Sequence, residues 1–175
     1  MSKDLMEIIR SRRSIRKFKA EKVDPQMLRQ VLKAGLFYPS SKSRKPVELI
    51  VVEDPELLQR LKVCKSTGTI ALETAPCAVV VIADTQKSDA WVEDASIVTI
   101  LMQLEAERLG LGSVWIQIRN RRSLTRNSDA DVRAVLNIPD HYGVLNILAL
   151  GHKNEEKRPY DEDSLDFSPV HTGRF

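Results

Sequence analysis

The chain has 175 residues, of which 42% are hydrophobic and 29% charged, enough for one globular domain with a real core. Its formal net charge of +3 is unevenly placed: residues 1–22 hold eight basic and three acidic side chains, a local +5, leaving −2 for the remainder. That distribution suits one anion-binding site better than a nucleic-acid surface, which spreads basic residues along a whole face, and an aromatic content of 5% gives little for bases to stack on.

From the N-terminus, Lys3 to Arg10 reads as a short amphipathic helix with Leu5, Ile8 and Ile9 on one side. It runs into Ile8 to Lys19, IIRSRRSIRKFK, which holds Arg10, Arg12, Arg13, Arg16, Lys17 and Lys19 and no acidic residue. Arg12, Arg13, Ser14 and Arg16 form R-R-S-x-R. Guanidinium groups fit phosphate oxygens through planar, bidentate hydrogen bonds, and a serine hydroxyl adds a neutral donor. The cluster falls where a helix ends and backbone groups are free to join an anion site. A solvated basic turn is the competing reading of so short a cluster.

Asp24-Pro25 opens the next helix: Asp caps and Pro takes the first helical position. Met27, Leu28, Val31, Leu32 and Gly35 then recur at helical spacing, and Pro39 ends the pattern by pushing Tyr38 out of the helical region. Ser40 to Pro46 is a polar, basic loop. Val47 to Glu53 is a strand rich in β-branched residues. Asp54-Pro55 repeats the helix start before Glu56 to Val63, and a short helix is expected to reach Glu73. Cys77 to Ala83 is a continuous apolar run, as in a central strand buried on both faces.

Trp91 to Leu109 is the longest predicted helix, apolar over most of its circumference, and belongs inside the molecule or inside a dimer. Gly110-Leu111-Gly112 stops it. Ser113 to Ile118 is a third strand, Arg119 to Arg126 a basic turn, Asp129 to Leu136 a short helix and Val144 to Leu150 a fourth strand. The tail from Glu155 to Phe175 is polar with little periodicity.

Cys64 and Cys77 lack C-x-x-C spacing, and His141, His152 and His171 are scattered, so neither a metal site nor a disulfide framework is expected. The N-terminus has no signal-peptide core, and Ala95 to Leu104 is too short and too closely flanked by acids to span a bilayer; a cytoplasmic protein is expected. Strands interleaved with helices give an α+β fold, an α/β sandwich in a single domain over residues 1–175. No G-x-G-x-x-G follows a strand and no G-x-x-x-x-G-K-[ST] occurs, so any phosphate site is built from arginines.

Four separated features, in order, resemble the FMN-dependent nitroreductase family. They are R-R-S-x-R at Arg12 to Arg16, P-S-S-x-x-x-x-P at Pro39 to Pro46 before a strand, G-L-G-S-x-W-I at Gly110 to Ile116, and Leu150-Gly151 followed by the basic pair Lys157-Arg158. The resemblance covers nearly the whole chain. It implies a nitroreductase-like fold, with a central, mostly antiparallel sheet flanked by helices, in a domain-swapped homodimer that a C-terminal arm at 155–175 would wrap. It also implies hydride transfer from NAD(P)H through bound FMN to a nitro, quinone or related small organic acceptor. Carried over by position, Arg12, Arg13, Ser14 and Arg16 would bind the ribityl-phosphate, with Lys157 or Arg158 completing that site. Ser40, Ser41, Ser43 and Lys45 would come from the second subunit, and Ile116 and Gln117 would contact the ring's face and edge. A backbone N–H near the ring suits the negative charge that builds there.

Three residues depart from the family's pattern: Ser43 stands for its Asn, Lys45 for its Gln and Val47 for its Trp. Lys45 is read either as a charge beside the reduced ring or as a solvated loop lysine. No evident nucleophile or general acid–base residue appears, as expected when a cofactor carries the chemistry. Two other readings compete. One is an FMN-binding protein of the same fold without efficient turnover. The other is a small nucleic-acid-binding protein using Arg10 to Lys19 and Arg119 to Arg126.

Overall fold

The computed structural model describes residues 4–175, so Lys3, at the start of the first predicted helix, lies outside the described residues. Helix α1 spans Leu5–Ser11, with the Asp4 carboxylate accepting from the Glu7 N–H at 2.9 Å and Ile8 turned inward. Both Asp-Pro pairs act as the sequence leads one to expect. Asp24 accepts from the N–H groups of Gln26 and Met27 at 2.7 and 3.2 Å to start α2, Pro25–Leu36. Asp54 does the same for Glu56 and Leu57 at the start of α3, Pro55–Lys62. Each carboxylate satisfies N–H groups that a helix start leaves without intrahelical partners.

Four strands, β1 (Val47–Val52), β2 (Cys77–Asp84), β3 (Leu111–Gln117) and β4 (Tyr142–His152), form one sheet in the order β1-β2-β4-β3. Every neighbouring pair is antiparallel. All eight residues of β2 are buried, as its unbroken apolar run predicts for an inner strand. β4 runs longer than Val144 to Leu150, because Gly143, Gly151 and His152 at its ends carry no strand signal of their own. Opposite Val81 and Ile82 the register slips and Leu145 becomes an extra residue of β4. Its carbonyl accepts from both Ile118 and Arg119 N–H at 3.0 Å, fixing where the chain leaves β3.

Helices cover both faces. On one side α3, α5 (Ser128–Leu136) and a 3-10 turn at Ile70–Glu73 pack Leu58, Leu61, Leu72 and Val132 against Val80, Ile116 and Ile147. On the other, α2 and α4 (Trp91–Arg108) pack Val31, Val98 and Met102 against Val79, Val81 and Leu148. The period-2 alternation of β2 thus serves both cores. The long helix α4 is buried on one side only. Ile100 is 40% exposed, and Ile97, Leu101 and Leu104 are half-buried on the outer face. Residues 156–175 are exposed, with Tyr160, Leu165, Phe167, Val170 and Phe175 uncovered. Cys64 and Cys77 are buried free thiols, pushed up to about 11 and about 12 chiefly by burial. Among the described residues no helix is long and apolar enough to cross a membrane, and no three His, Cys, Asp or Glu side chains are grouped to hold a metal ion.

Candidate functional site

Helix α1 closes with the Arg12 N–H on the Ile8 carbonyl at 2.9 Å, and the backbone then becomes extended. Ser14 pairs in parallel with Ser113, and the Ile15 N–H donates to the Ser113 carbonyl at 3.0 Å. Further on, the Lys19 N–H donates to the His152 carbonyl and the Asn154 N–H to the Lys17 carbonyl, both at 2.9 Å. The basic segment is therefore laid along the β3 edge and the end of β4, with buried Ile15 and Phe18 as its pegs. Gly112 makes the close approach possible: a Cβ there would lie 2.8 Å from the Ile15 side chain.

Extended alternation sends Arg12, Ser14 and Arg16 to one side and Arg13 and Ile15 to the other. The arginines differ in what they do. The Arg13 guanidinium donates to the Arg158 carbonyl and lies 4.5 Å from the Tyr160 ring centroid. Those of Arg12 and Arg16 have no hydrogen bond or ion pair among the described residues. The Arg16 backbone N–H donates to the Glu155 carboxylate, which holds that carboxyl below its ordinary range. Lys157 pairs with Glu155 at 3.2 Å, whereas the Arg158 guanidinium has no partner among the described residues. On the Arg13 side a cavity of about 600 Å³ also receives Lys19, Lys153 and Lys157. No motif marks Lys153 as part of this site. Its ammonium is held by Glu107, 4% exposed, at 2.7 and 2.9 Å, and that partner lies 46 residues away.

The predicted loop at Ser40 to Pro46 contains a 3-10 turn, Ser41–Ser43. Lys42, Ser43 and Lys45 all adopt left-handed backbone, with φ of +50°, +55° and +46°. Non-glycine residues occupy that region at a cost, and such clusters persist where the surroundings over-determine them. Here the Ser40 hydroxyl accepts from the Lys45 N–H at 3.0 Å, and the Ser41 N–H donates to Asp94 Oδ1 at 3.2 Å. The Val47 N–H donates to the Tyr38 hydroxyl at 3.2 Å. The Lys45 ammonium donates to the Tyr38 carbonyl and sits 4.1 Å from that ring's centroid, so it is engaged beside its own loop although the residue is exposed. Asp94, in the first turn of α4, is 3% exposed, and its Oδ2 is buried with no hydrogen-bond partner. Nothing near it in the sequence marks a carboxylate that reaches a loop 53 residues away.

Ile116 and Gln117 prove unequal. Ile116 is 1% exposed and belongs to the core beneath β3. The Ser113 carbonyl turns away from β4 toward Ile15, so strand alternation aims the N–H groups of Trp115 and Gln117 at the open edge and that of Ile116 at β4. The half-buried Gln117 side chain accepts from Trp115 Nε1 at 2.8 Å and donates to the Arg119 carbonyl at 2.9 Å. Ser14 joins this edge to the basic segment directly. The Ser40 loop is tied instead to the start of α4. The arrangement offers guanidiniums without partners among the described residues on the same sheet edge as an outward backbone N–H, a set suited to an elongated ligand with an anionic end and a ring that gains negative charge.

The model of the nitroreductase family matches residues 9–68 and 67–152 of the chain. An FMN-dependent nitroreductase from Clostridium difficile R20291 superposes with a TM-score of 0.95 at 43% identity, covering 97% of this chain and 99% of its own. The NADPH:FMN oxidoreductase of Vibrio harveyi, in a complex with NAD+, matches with a TM-score of 0.83 at 26% identity over 98% of this chain and 77% of its own. A provisionally named NADH dehydrogenase/NAD(P)H nitroreductase of Archaeoglobus fulgidus is 32% identical over 170 residues, 95% of this chain and 94% of the relative.

Proposed function

The chain belongs to the nitroreductase family, and we propose that it is a cytoplasmic FMN-dependent oxidoreductase that passes hydride from NAD(P)H to a nitro, quinone or related small organic acceptor. One observation carries most weight: the guanidiniums of Arg12 and Arg16, without a partner among the described residues, lie on a segment paired to β3, whose Gln117 N–H points off the sheet edge. Free thiols at Cys64 and Cys77 suit a reducing compartment.

The residues present fit FMN. Arg12, Ser14 and Arg16 would hold the phosphate, with Arg158 the freer member of the tail pair. Arg13 and Lys157, engaged by the Arg158 carbonyl and by Glu155, would order the tail around that phosphate. The Gln117 N–H would face the ring edge where negative charge develops, and the buried Ile116 would support the strand from beneath. Bound FMN supplies the redox chemistry; the protein contributes binding, orientation and exclusion of water.

The loop bearing Ser40, Ser41, Ser43 and Lys45 would be contributed by a second copy of the chain. Two features support a homodimer: the uncovered outer face of α4 around Ile97, Ile100 and Leu104, and the apolar side chains carried by the exposed tail. Steady-state oxidation of NAD(P)H by the FMN-loaded protein, with a quinone or nitroaromatic acceptor, tests the proposal. Turnover that requires both FMN and acceptor is expected. Tight FMN binding without turnover would instead favour a flavin-binding protein that has lost its acceptor site.

A further inference from the structure

The basic turn after β3 has no part in the FMN site described above, yet it borders a cavity of its own. That cavity, about 360 Å³, lies between the turn, the start of α4 and the start of β4. Its size is within the range of small-ligand pockets. Trp91 and Tyr142 supply aromatic surface, and Arg119, Arg121 and Arg133 line it. These three arginines are not equivalent. Arg133 is neutralised by Asp129 at 2.9 Å and by Asp140, so it acts as a latch between α5 and the approach to β4. Arg119 and Arg121 have no carboxylate partner among the described residues. The Arg119 guanidinium lies 5.7 Å from the Trp91 ring centroid, and Arg121 donates only to the neighbouring Asn120 carbonyl, at 3.0 Å. Burial, and then the positive charge of Arg121, holds the nearby Lys65 below its ordinary range.

The turn is held in place. Ile118 and Arg119 N–H share the Leu145 carbonyl, and Asn120 is in left-handed backbone at φ +56°. The indole it faces is also fixed. Gly143 lets Trp91 pack onto the backbone, where a Cβ would come within 2.7 Å of the ring. Most telling is the attachment to the proposed redox centre: the Gln117 amide donates to the Arg119 carbonyl at 2.9 Å. The turn that carries Arg119 and Arg121 is therefore anchored to the residue whose N–H would face the ring edge.

We infer that this cavity receives the phosphate-bearing part of the pyridine nucleotide, and that Arg119 and Arg121 make the protein prefer NADPH to NADH by binding the 2′-phosphate. The inference rests on the FMN-dependent reading above. Its physical basis is charge and shape. A phosphate ester matches two guanidinium forks that lack acidic partners among the described residues, and a planar ring can lie on the Trp91 and Tyr142 surfaces. NADH lacks the extra dianion, so it gains less from the same pair.

The experiment combines kinetics with a binding measurement on the FMN-loaded protein. Steady-state rates with a quinone acceptor are compared for wild type, Arg119→Ala, Arg121→Ala and the double variant, and 2′,5′-ADP and 5′-AMP are titrated by calorimetry. Loss of one charge-assisted contact should lower the NADPH:NADH ratio of kcat/KM by about tenfold or more. Wild type should bind 2′,5′-ADP more tightly than 5′-AMP, and the double variant should lose that difference, with FMN content as in wild type. Parallel loss of both coenzymes, or an undiminished preference for 2′,5′-ADP in the double variant, would overturn the inference while leaving the FMN-dependent reading standing. Failure of wild type to take up FMN would overturn both.

Discussion

Arg12 and Arg13 are adjacent in the chain but opposed in the structure. Arg13 is committed to the Arg158 carbonyl and the Tyr160 ring, while the Arg12 guanidinium has no partner among the described residues. Arg12→Ala should therefore weaken FMN binding about ten- to hundredfold, the effect of losing a charge-assisted hydrogen bond of roughly 1.5–3 kcal/mol. Titration of the apoprotein reads this directly, and an unchanged affinity would remove Arg12 from the phosphate site. Lys45 leads to a different expectation. The sequence allowed a charge at the flavin ring or a solvated lysine, whereas the structure seats the ammonium on the Tyr38 carbonyl and ring. A cation–π contact of about 0.5–1 kcal/mol then braces a strained loop. Lys45→Gln should weaken FMN binding about two- to fivefold through that loop, without moving the flavin midpoint potential. A lowered potential in spectroelectrochemical titration would put the ammonium at the ring instead.

At the scale of elements, local signals in the sequence were reliable and long-range ones were silent. Asp24-Pro25 and Asp54-Pro55 marked helix starts because cap and first turn lie within four residues of each other. The apolar run of β2 revealed an inner strand for a similar reason, since burial on both faces leaves no alternation. The clasps that shape the candidate site could not be read this way. Ser41 meets Asp94, Lys153 meets Glu107 and Arg16 meets Glu155 only because the sheet brings their elements together. The last of these gives a pH prediction for the tail. Hydrogen bonding by the Arg16 N–H, then the Lys157 charge, depresses the Glu155 carboxyl in the folded chain. A depressed carboxyl contributes stability above its unfolded pKa and loses it as pH falls through its folded pKa. Protection of the Arg16 amide from hydrogen exchange should therefore be constant at neutral pH and fall off only below the ordinary glutamate range. Protection lost between neutrality and that range would show that the clasp does not hold the tail.

For the whole molecule, the proposed assembly follows from what one chain leaves uncovered. A homodimer of 19.8 kDa chains would sediment near 40 kDa, bury the outer face of α4 and give the tail a surface to wrap. Truncation before Pro159 should weaken that dimer, seen as concentration-dependent dissociation in analytical ultracentrifugation, and leave the four strands intact. A full-length monomer that binds FMN normally would sink the two-chain site. In the proposed function, this chain uses FMN to move electrons from a pyridine nucleotide. Anaerobic titration of the FMN-loaded protein with NADPH, followed in the flavin's visible absorption band, tests it most directly. One equivalent of FMN per chain should be retained and one equivalent of NADPH should bleach it, with colour returning when a quinone is added. FMN that passes through the protein unbound, or bound FMN that stays oxidised in excess NADPH and NADH, would contradict it.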